Sequence, residues 1–159
     1  MECIDVSSLA RGTSQLKKKI LFVVNVDWFF LSHRLQIALQ AQKDGYEVHV
    51  AAVITDKLEI LQSHGFFVHP AKMSRGGVNI FKNFISFLHL KKIFNEVRPD
   101  ILHLITIKPV ILGGLLAKYL SVPAVCSSVS GLGYIYTATG TSANARRWLI
   151  NKLYLLALS

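Results

Sequence analysis

Between Asn25 and Leu35 the sequence sets a carboxylate, three aromatic rings, a hydroxyl, an imidazole and a guanidinium within eight residues: Asp27, Trp28, Phe29, Phe30, Ser32, His33 and Arg34. An imidazole can take a proton from a hydroxyl, and a nearby aspartate can orient that imidazole or act on the hydroxyl itself, so His33 and Asp27 are the catalytic candidates. Arg34 suits bidentate clamping of a phosphate. Ser32 suits the N-cap of a helix whose free amides also favour an anion, and Trp28 joins them as a binding residue. Equally, the aromatic rings could plug the end of a sheet and Arg34 could be a solvated helix residue; the residues alone leave both readings open.

Two further segments carry the same kind of chemistry. Lys108, just before Pro109, would stand at a helix start, where a cation beside free amides holds phosphate. Residues 130–137 combine Gly131 and Gly133 with Tyr134 and Tyr136; glycines allow close backbone approach and tyrosines stack on or hydrogen-bond a sugar, though a plain turn has the same composition. His103 lies inside an apolar run and reads as a core histidine. No Gly-x-Gly-x-x-Gly follows the first apolar run, so an NAD-type site is not expected.

These residues need a frame to hold them. Residues 20–24 are a continuous apolar run, the mark of a strand buried on both faces. A helix is expected over residues 32–44, with Ser32 as N-cap and Gly45 past its end. A strand at 46–53, a short helix at 56–64 closed by Gly65, a strand at 66–69 and a long helix at 79–97 follow. Pro99 stops that helix. A strand at 100–105, a helix at 109–120, a strand at 122–127, the glycine-bearing loop and a last helix from residue 142 complete the series. Such alternation implies right-handed crossovers and an α/β, Rossmann-like, doubly wound parallel sheet of order 3-2-1-4-5. Ligands then bind at the carboxyl ends of the strands, between the first and the fourth.

Length and composition agree. The 159 residues, 52% hydrophobic, suit one globular domain, residues 19–159, after a polar leader over 1–18. The net charge of +9 favours phosphorylated ligands or an anionic membrane surface. Nucleic acid is not expected, because no helix-turn-helix, zinc or ribonucleoprotein pattern is present. Cys3 and Cys126 are the only cysteines and suggest neither a disulfide framework nor a metal site, consistent with a reducing cytoplasm. No apolar run reaches the roughly 18 residues of a membrane span, so membrane contact would be peripheral. The helix at 79–97 has more apolar surface than one core stripe needs, with Lys82, Lys91 and Lys92 interspersed. It fits an anionic membrane, or burial between the sheet and a second domain.

Lys18 to Val23, Asp27 to Leu35 and Gly45 to Val50 together resemble the opening of glycosyltransferase family 4. The nearest likeness is to enzymes that extend lipid-linked sugars for surface polysaccharide. Arg98 to His103, Lys108 with Pro109, and Ser130 to Tyr134 continue the resemblance in order. It implies a GT-B fold of two facing Rossmann-like halves, of which this chain would be the amino-terminal, acceptor-side one. It further implies a retaining transfer from a nucleotide sugar, usually a UDP-sugar, with no metal and no cofactor. The acceptor would be a lipid-linked or polysaccharide glycan at the cytoplasmic face of the inner membrane. The family's paired glutamates of the second half have no counterpart here. The expectation is therefore of a chain inactive alone, needing a carboxy-terminal donor domain in cis or in trans, or else of a membrane-anchoring scaffold subunit of a split enzyme.

Overall fold

In the computed structural model, which describes residues 17–73, 80–129 and 141–158, the five apolar runs form strands β1 (Lys19–Val26), β2 (Glu47–Val53), β3 (Phe67–Pro70), β4 (Ile101–Ile105) and β5 (Ala124–Ser128). Every pairing is parallel and the order is β3-β2-β1-β4-β5. This is the Rossmann-like arrangement expected from the alternation of elements. β1 lies at the centre, and Leu21, Phe22, Val23 and Val24 are wholly buried, as an unbroken apolar run requires when both faces are covered.

Among the described residues, helices α1 (Asp27–His33), α2 (Leu35–Lys43), α3 (Leu58–Ser63), α4 (Ile80–Val97) and α5 (Ile107–Tyr119) lie between the strands, and α6 (Thr141–Leu158) follows β5. Because side chains alternate along a strand, β1 divides its residues between two cores. Leu21 and Val23 meet Leu90, Ile93, Phe94 and Val97 of α4 and Val110, Leu116 and Ala117 of α5. Ile20, Phe22 and Val24 meet Phe30 of α1, Ala38 of α2 and Leu61 of α3. Asp100 fastens the start of β4 to β1: its carboxylate accepts the Lys19 amide at 2.7 Å, and its own amide donates to the Lys19 carbonyl at 2.9 Å.

Two glycine pairs explain the helix positions. Gly45 (φ 91°) and Gly65 (φ 78°) take left-handed conformations just past α2 and α3, which a glycine adopts without strain. Gly113 and Gly114 let α5 approach its neighbours: a Cβ on Gly114 would stand 2.8 Å from the Ala157 carbonyl oxygen of α6. The same seam is closed by the Lys118 ammonium, which donates to the Leu156 carbonyl at 2.7 Å.

Two expected helix starts are corrected. The helix expected from residue 32 begins at Asp27, breaks at Arg34 (φ −128°, ψ −9°) and resumes at Leu35. Ser32 is therefore not an N-cap; it lies in the last turn of α1, where its hydroxyl donates to the Trp28 carbonyl at 3.0 Å. α5 likewise starts at Ile107, with Pro109 inside its first turn, where a missing amide costs no intrahelical bond.

Candidate functional site

The early start of α1 has its cause in Asp27. This residue is fully buried, and its carboxylate accepts from the Trp28 amide at 2.8 Å, the Thr55 amide at 2.6 Å, the Thr55 hydroxyl at 2.8 Å and the Lys57 amide at 3.3 Å. Burial pushes its pKa up, but the hydrogen bonds from Thr55, Trp28 and Lys57 outweigh this and hold it below the usual carboxylate value. Both oxygens are thus engaged in joining the end of β1 to the turn after β2.

From this anchor the seven residues of α1, packed on β1 through Phe30 and Phe22, lead to Arg34. Its side chain reaches the end of β5, where the guanidinium donates to the Ser128 hydroxyl and to the His33 carbonyl at 3.1 Å. α1 starts at the carboxyl end of β1, beside the point where strand order reverses, which is where a doubly wound sheet binds ligands.

Several polar atoms are buried without a hydrogen-bond partner among the described residues: Arg34 Nε, and Asn25 Oδ1, Thr106 Oγ1 and Ser127 Oγ at or just after the carboxyl ends of β1, β4 and β5. Ser127 pairs with Leu104 of the α4–α5 core, so its hydroxyl lies on the other face of the sheet from Ser128 and Arg34. Buried polar atoms are normally paired, so each orphan is a position where a partner would gain a hydrogen bond. Thr106 adds backbone strain, with φ 74° and ψ 167° at the N-cap of α5. A β-branched residue held in this sparsely populated region costs on the order of 1–3 kcal/mol. His103, in β4, is buried against Phe22, with ring centroids 5.2 Å apart. Burial and then the nearby Arg34 charge lower its pKa, so it is a neutral core histidine, as its place in an apolar run suggested. Lys108 is half-buried in the first turn of α5, and burial lowers its pKa as well.

The outer face of α1 carries the rest of the motif. Trp28, Ser32 and His33 are exposed and Phe29 is half-buried. The His33 imidazole stacks on Phe29 at 4.2 Å and 11°, and Trp28 meets Phe29 edge-on at 5.9 Å. His33 Nδ1 lies 2.7 Å from the Ser32 hydroxyl and 3.3 Å from the Phe29 carbonyl. Phe30 turns inward, against Phe22 and Phe66. The aromatic string therefore divides: Phe30 plugs the sheet end, while Trp28 and Phe29 face outward. Gly131, Gly133 and Tyr134 lie outside the described residues.

The structure thus brings Arg34 together with Ser128, and Asp27 with Thr55, and it sets Ser32 and His33 on a face separate from both. Sequence reasoning missed Thr55, although a polar residue just after β2, beside the end of β1, was a usable signal. It also passed over Asn25, Thr106 and Ser127, whose side chains become conspicuous only once they are seen buried and unpaired. Among the described residues no group of three or more His, Cys, Asp or Glu side chains could hold a metal ion.

Comparisons with known proteins fit this geometry. The chain is 32% identical over 120 residues to the N,N'-diacetylbacillosaminyl-diphospho-undecaprenol alpha-1,3-N-acetylgalactosaminyltransferase of Campylobacter jejuni, a match covering 76% of this chain and 31% of the relative. This chain thus spans less than a third of that protein. Acinetobacter baumannii MurG superimposes with a TM-score of 0.55 at 18% identity, over 82% of this chain and 38% of its own. The UDP-GlcNAc 2-epimerase of Methanocaldococcus jannaschii does so with 0.53 at 14% identity, over 87% and 37%. At such identities the structural likenesses establish fold alone, a Rossmann-like half of the GT-B architecture. The sequence is more specific: residues 19–158 match the family model described as glycosyl transferase 4-like, and the chain belongs to that family.

Proposed function

We propose that this chain is the amino-terminal, acceptor-side domain of a retaining glycosyltransferase that moves a sugar from a UDP-sugar to a lipid-linked or polysaccharide acceptor. The carrying observation is Arg34: its guanidinium stands beside the Ser128 hydroxyl at the end of β5, with Nε unpaired among the described residues. A planar cation with free donors, backed by hydroxyl groups, suits a phosphate or diphosphate. The Campylobacter relative's name specifies a diphospho-undecaprenol substrate, which has this chemistry. Lys108 adds a second cation at the start of α5. Asp27, with its lone pairs engaged, acts as a positioning residue that ties the start of α1 to the turn after β2. Turnover requires a donor-binding half in cis or in trans, and the nucleotide sugar serves as substrate without a resident cofactor or metal.

A second reading, a membrane-anchoring scaffold subunit of a split transferase, is favoured by one feature. Phe81, Phe84, Ile85 and Leu88 of α4 are exposed, and Lys91 and Lys92 continue the same helix. An apolar stripe with basic residues suits the surface of an anionic bilayer. No helix among the described residues is long and apolar enough to cross a membrane. Both readings take the membrane contact to be peripheral, at the cytoplasmic face.

Equilibrium binding of a polyprenyl-diphosphate-linked N-acetylhexosamine in mixed micelles separates the readings. The acceptor-side assignment predicts saturable binding that Arg34→Ala weakens by about tenfold, the equivalent of one charge-assisted hydrogen bond. Binding that ignores Arg34→Ala would remove the residue from the site, and absence of acceptor binding would leave the scaffold.

A further inference from the structure

His49 and His69 meet at the β3 edge of the sheet, the opposite edge from Ser128. They point to the α4 side, since their row partners Leu21, Val23 and Ala51 all belong to the α4–α5 core. His49 is buried and His69 half-buried. Among the described residues, charges from three elements act on the pair: Lys19 of β1, Glu47 of β2 and Glu96 of α4, the last 3.7 Å from the Lys92 ammonium. Phe67 of β3 stacks on the His49 ring, with centroids 4.9 Å apart.

The neighbours fix where the protons of this cluster sit. Glu47 Oε1 lies 2.8 Å from His49 Nε2 and 3.6 Å from the Lys19 ammonium. Its hydrogen bond with His49, helped by the charges of His49 and Lys19 and opposed by burial, holds its pKa below the usual carboxylate value. It is therefore an ionised acceptor at neutral pH, and His49 Nε2 carries a proton. The second contact, His49 Nδ1 to His69 Nε2 at 3.0 Å, joins two nitrogens and needs one proton on its axis: two lone pairs repel, and two N–H groups collide. With His49 neutral, His69 Nε2–H donates to the Nδ1 lone pair. An added proton goes to His69 Nδ1, and the resulting charge passes to His49 if the axial proton moves across and the bond reverses. A further proton has no place except on the axis, where an N–H already stands.

We infer that His49 and His69 form a one-proton latch between β2 and β3: the pair accepts a first proton with its N···N hydrogen bond intact, and a second proton breaks that bond and loosens the β3 edge. Each step adds one solvent proton to one imidazole lone pair. Burial opposes uptake at both rings; Glu47 favours it and Lys19 opposes it at His49, while Glu96 favours it at His69. What the latch holds is the entry to the α4 core. β3 continues through Pro70 to Ala71, whose amide donates to the Ala52 carbonyl at 2.7 Å, and Ala71 and Met73 are buried in that core.

An imidazole nitrogen NMR titration of the 159-residue chain, from about pH 8 to about pH 4 across the ordinary histidine and carboxylate values, tests the latch. At the alkaline end both rings should be protonated at Nε2 and unprotonated at Nδ1. Acid should then shift the nitrogens of both rings together in a single one-proton step, while the β3 amides keep their protection from hydrogen exchange. A second step should need at least about tenfold more acid, and should lower β3 protection factors by about tenfold while β1 stays protected. His69→Gln offers His49 an amide that donates or, once turned, accepts, and that binds no proton; its β3 protection should lose the acid-dependent fall. Rings that titrate as independent groups, a His69 protonated only at Nδ1 at the alkaline end, or a β3 protection that falls in His69→Gln as in the wild type would each overturn the latch. The tautomers and the step count are read in the unmodified chain, so they decide the matter even if the variant does not fold.

Discussion

At Asp27 one carboxylate gathers three backbone amides and a hydroxyl. The residue type and its place after a central strand were visible in the sequence, but the work it does was not. Its partner Thr55 is 28 positions away, and only the pairing of β1 with β2 makes them neighbours. Asp27→Asn leaves donors facing an amide group, and should lower unfolding free energy by about 2–3 kcal/mol, read by urea denaturation. A substitution that cost activity with unchanged stability would instead favour direct chemistry at this carboxylate. Histidines on the far part of the sheet set a pH dependence. His49 is buried, with Nδ1 3.0 Å from His69 Nε2 and Nε2 2.8 Å from the Glu47 carboxylate. Burial lowers the pKa of His49, against the opposing pull of Glu47. Burial and then His49 lower that of His69. The unfolded chain therefore binds more protons than the folded one below the ordinary histidine value of about 6.5. Stability present above that value should be lost as pH falls toward the lower folded values, and the denaturation midpoint of His69→Gln should depend less on pH over that window.

The strands were the most legible elements, because each run is bounded by polar or turn residues; burial follows hydropathy in the central β1 and β4, whereas Phe67 of β3 and Val125 of the edge strand β5 are exposed. Gly45 and Gly65 marked two helix ends for a backbone reason, their positive φ. The start of α1 was hidden because no capping side chain announces it; a tertiary contact through Asp27 sets it. The pairing of α5 with α6 was hidden as well. Gly113 and Gly114 looked like a small-residue helix, but only the approach of Ala157 explains why Gly114 must be small. Gly114→Val drives a side chain into α6 backbone, and should cost about 1–3 kcal/mol, measurable as a lower thermal midpoint. On α4, the exposed Phe84 and Leu88 should govern membrane contact. Phe84→Glu with Leu88→Glu should abolish co-sedimentation with anionic vesicles at low salt while leaving the fold intact by circular dichroism. Equal sedimentation of wild type and variant would exclude this face.

For the whole molecule, the order 3-2-1-4-5 was readable from alternation and handedness rules, and the family from the string between Asp27 and Arg34. The electrostatic centre of the site was not readable, since Arg34 and Ser128 are 94 positions apart and meet only because the fold brings the end of α1 within side-chain reach of β5. A surplus of positive charge and a cation beside the switch point support the proposal that this domain receives an anionic acceptor. The most direct test is amide chemical-shift mapping of the chain with two ligands, a lipid-diphosphate-linked sugar and a UDP-sugar. The acceptor is predicted to perturb α1, Arg34, Thr106 to Lys108 and Ser127 to Ser128 saturably, with the UDP-sugar producing far smaller changes. A UDP-sugar that saturates those same amides while the acceptor leaves them unmoved would contradict the acceptor-side assignment.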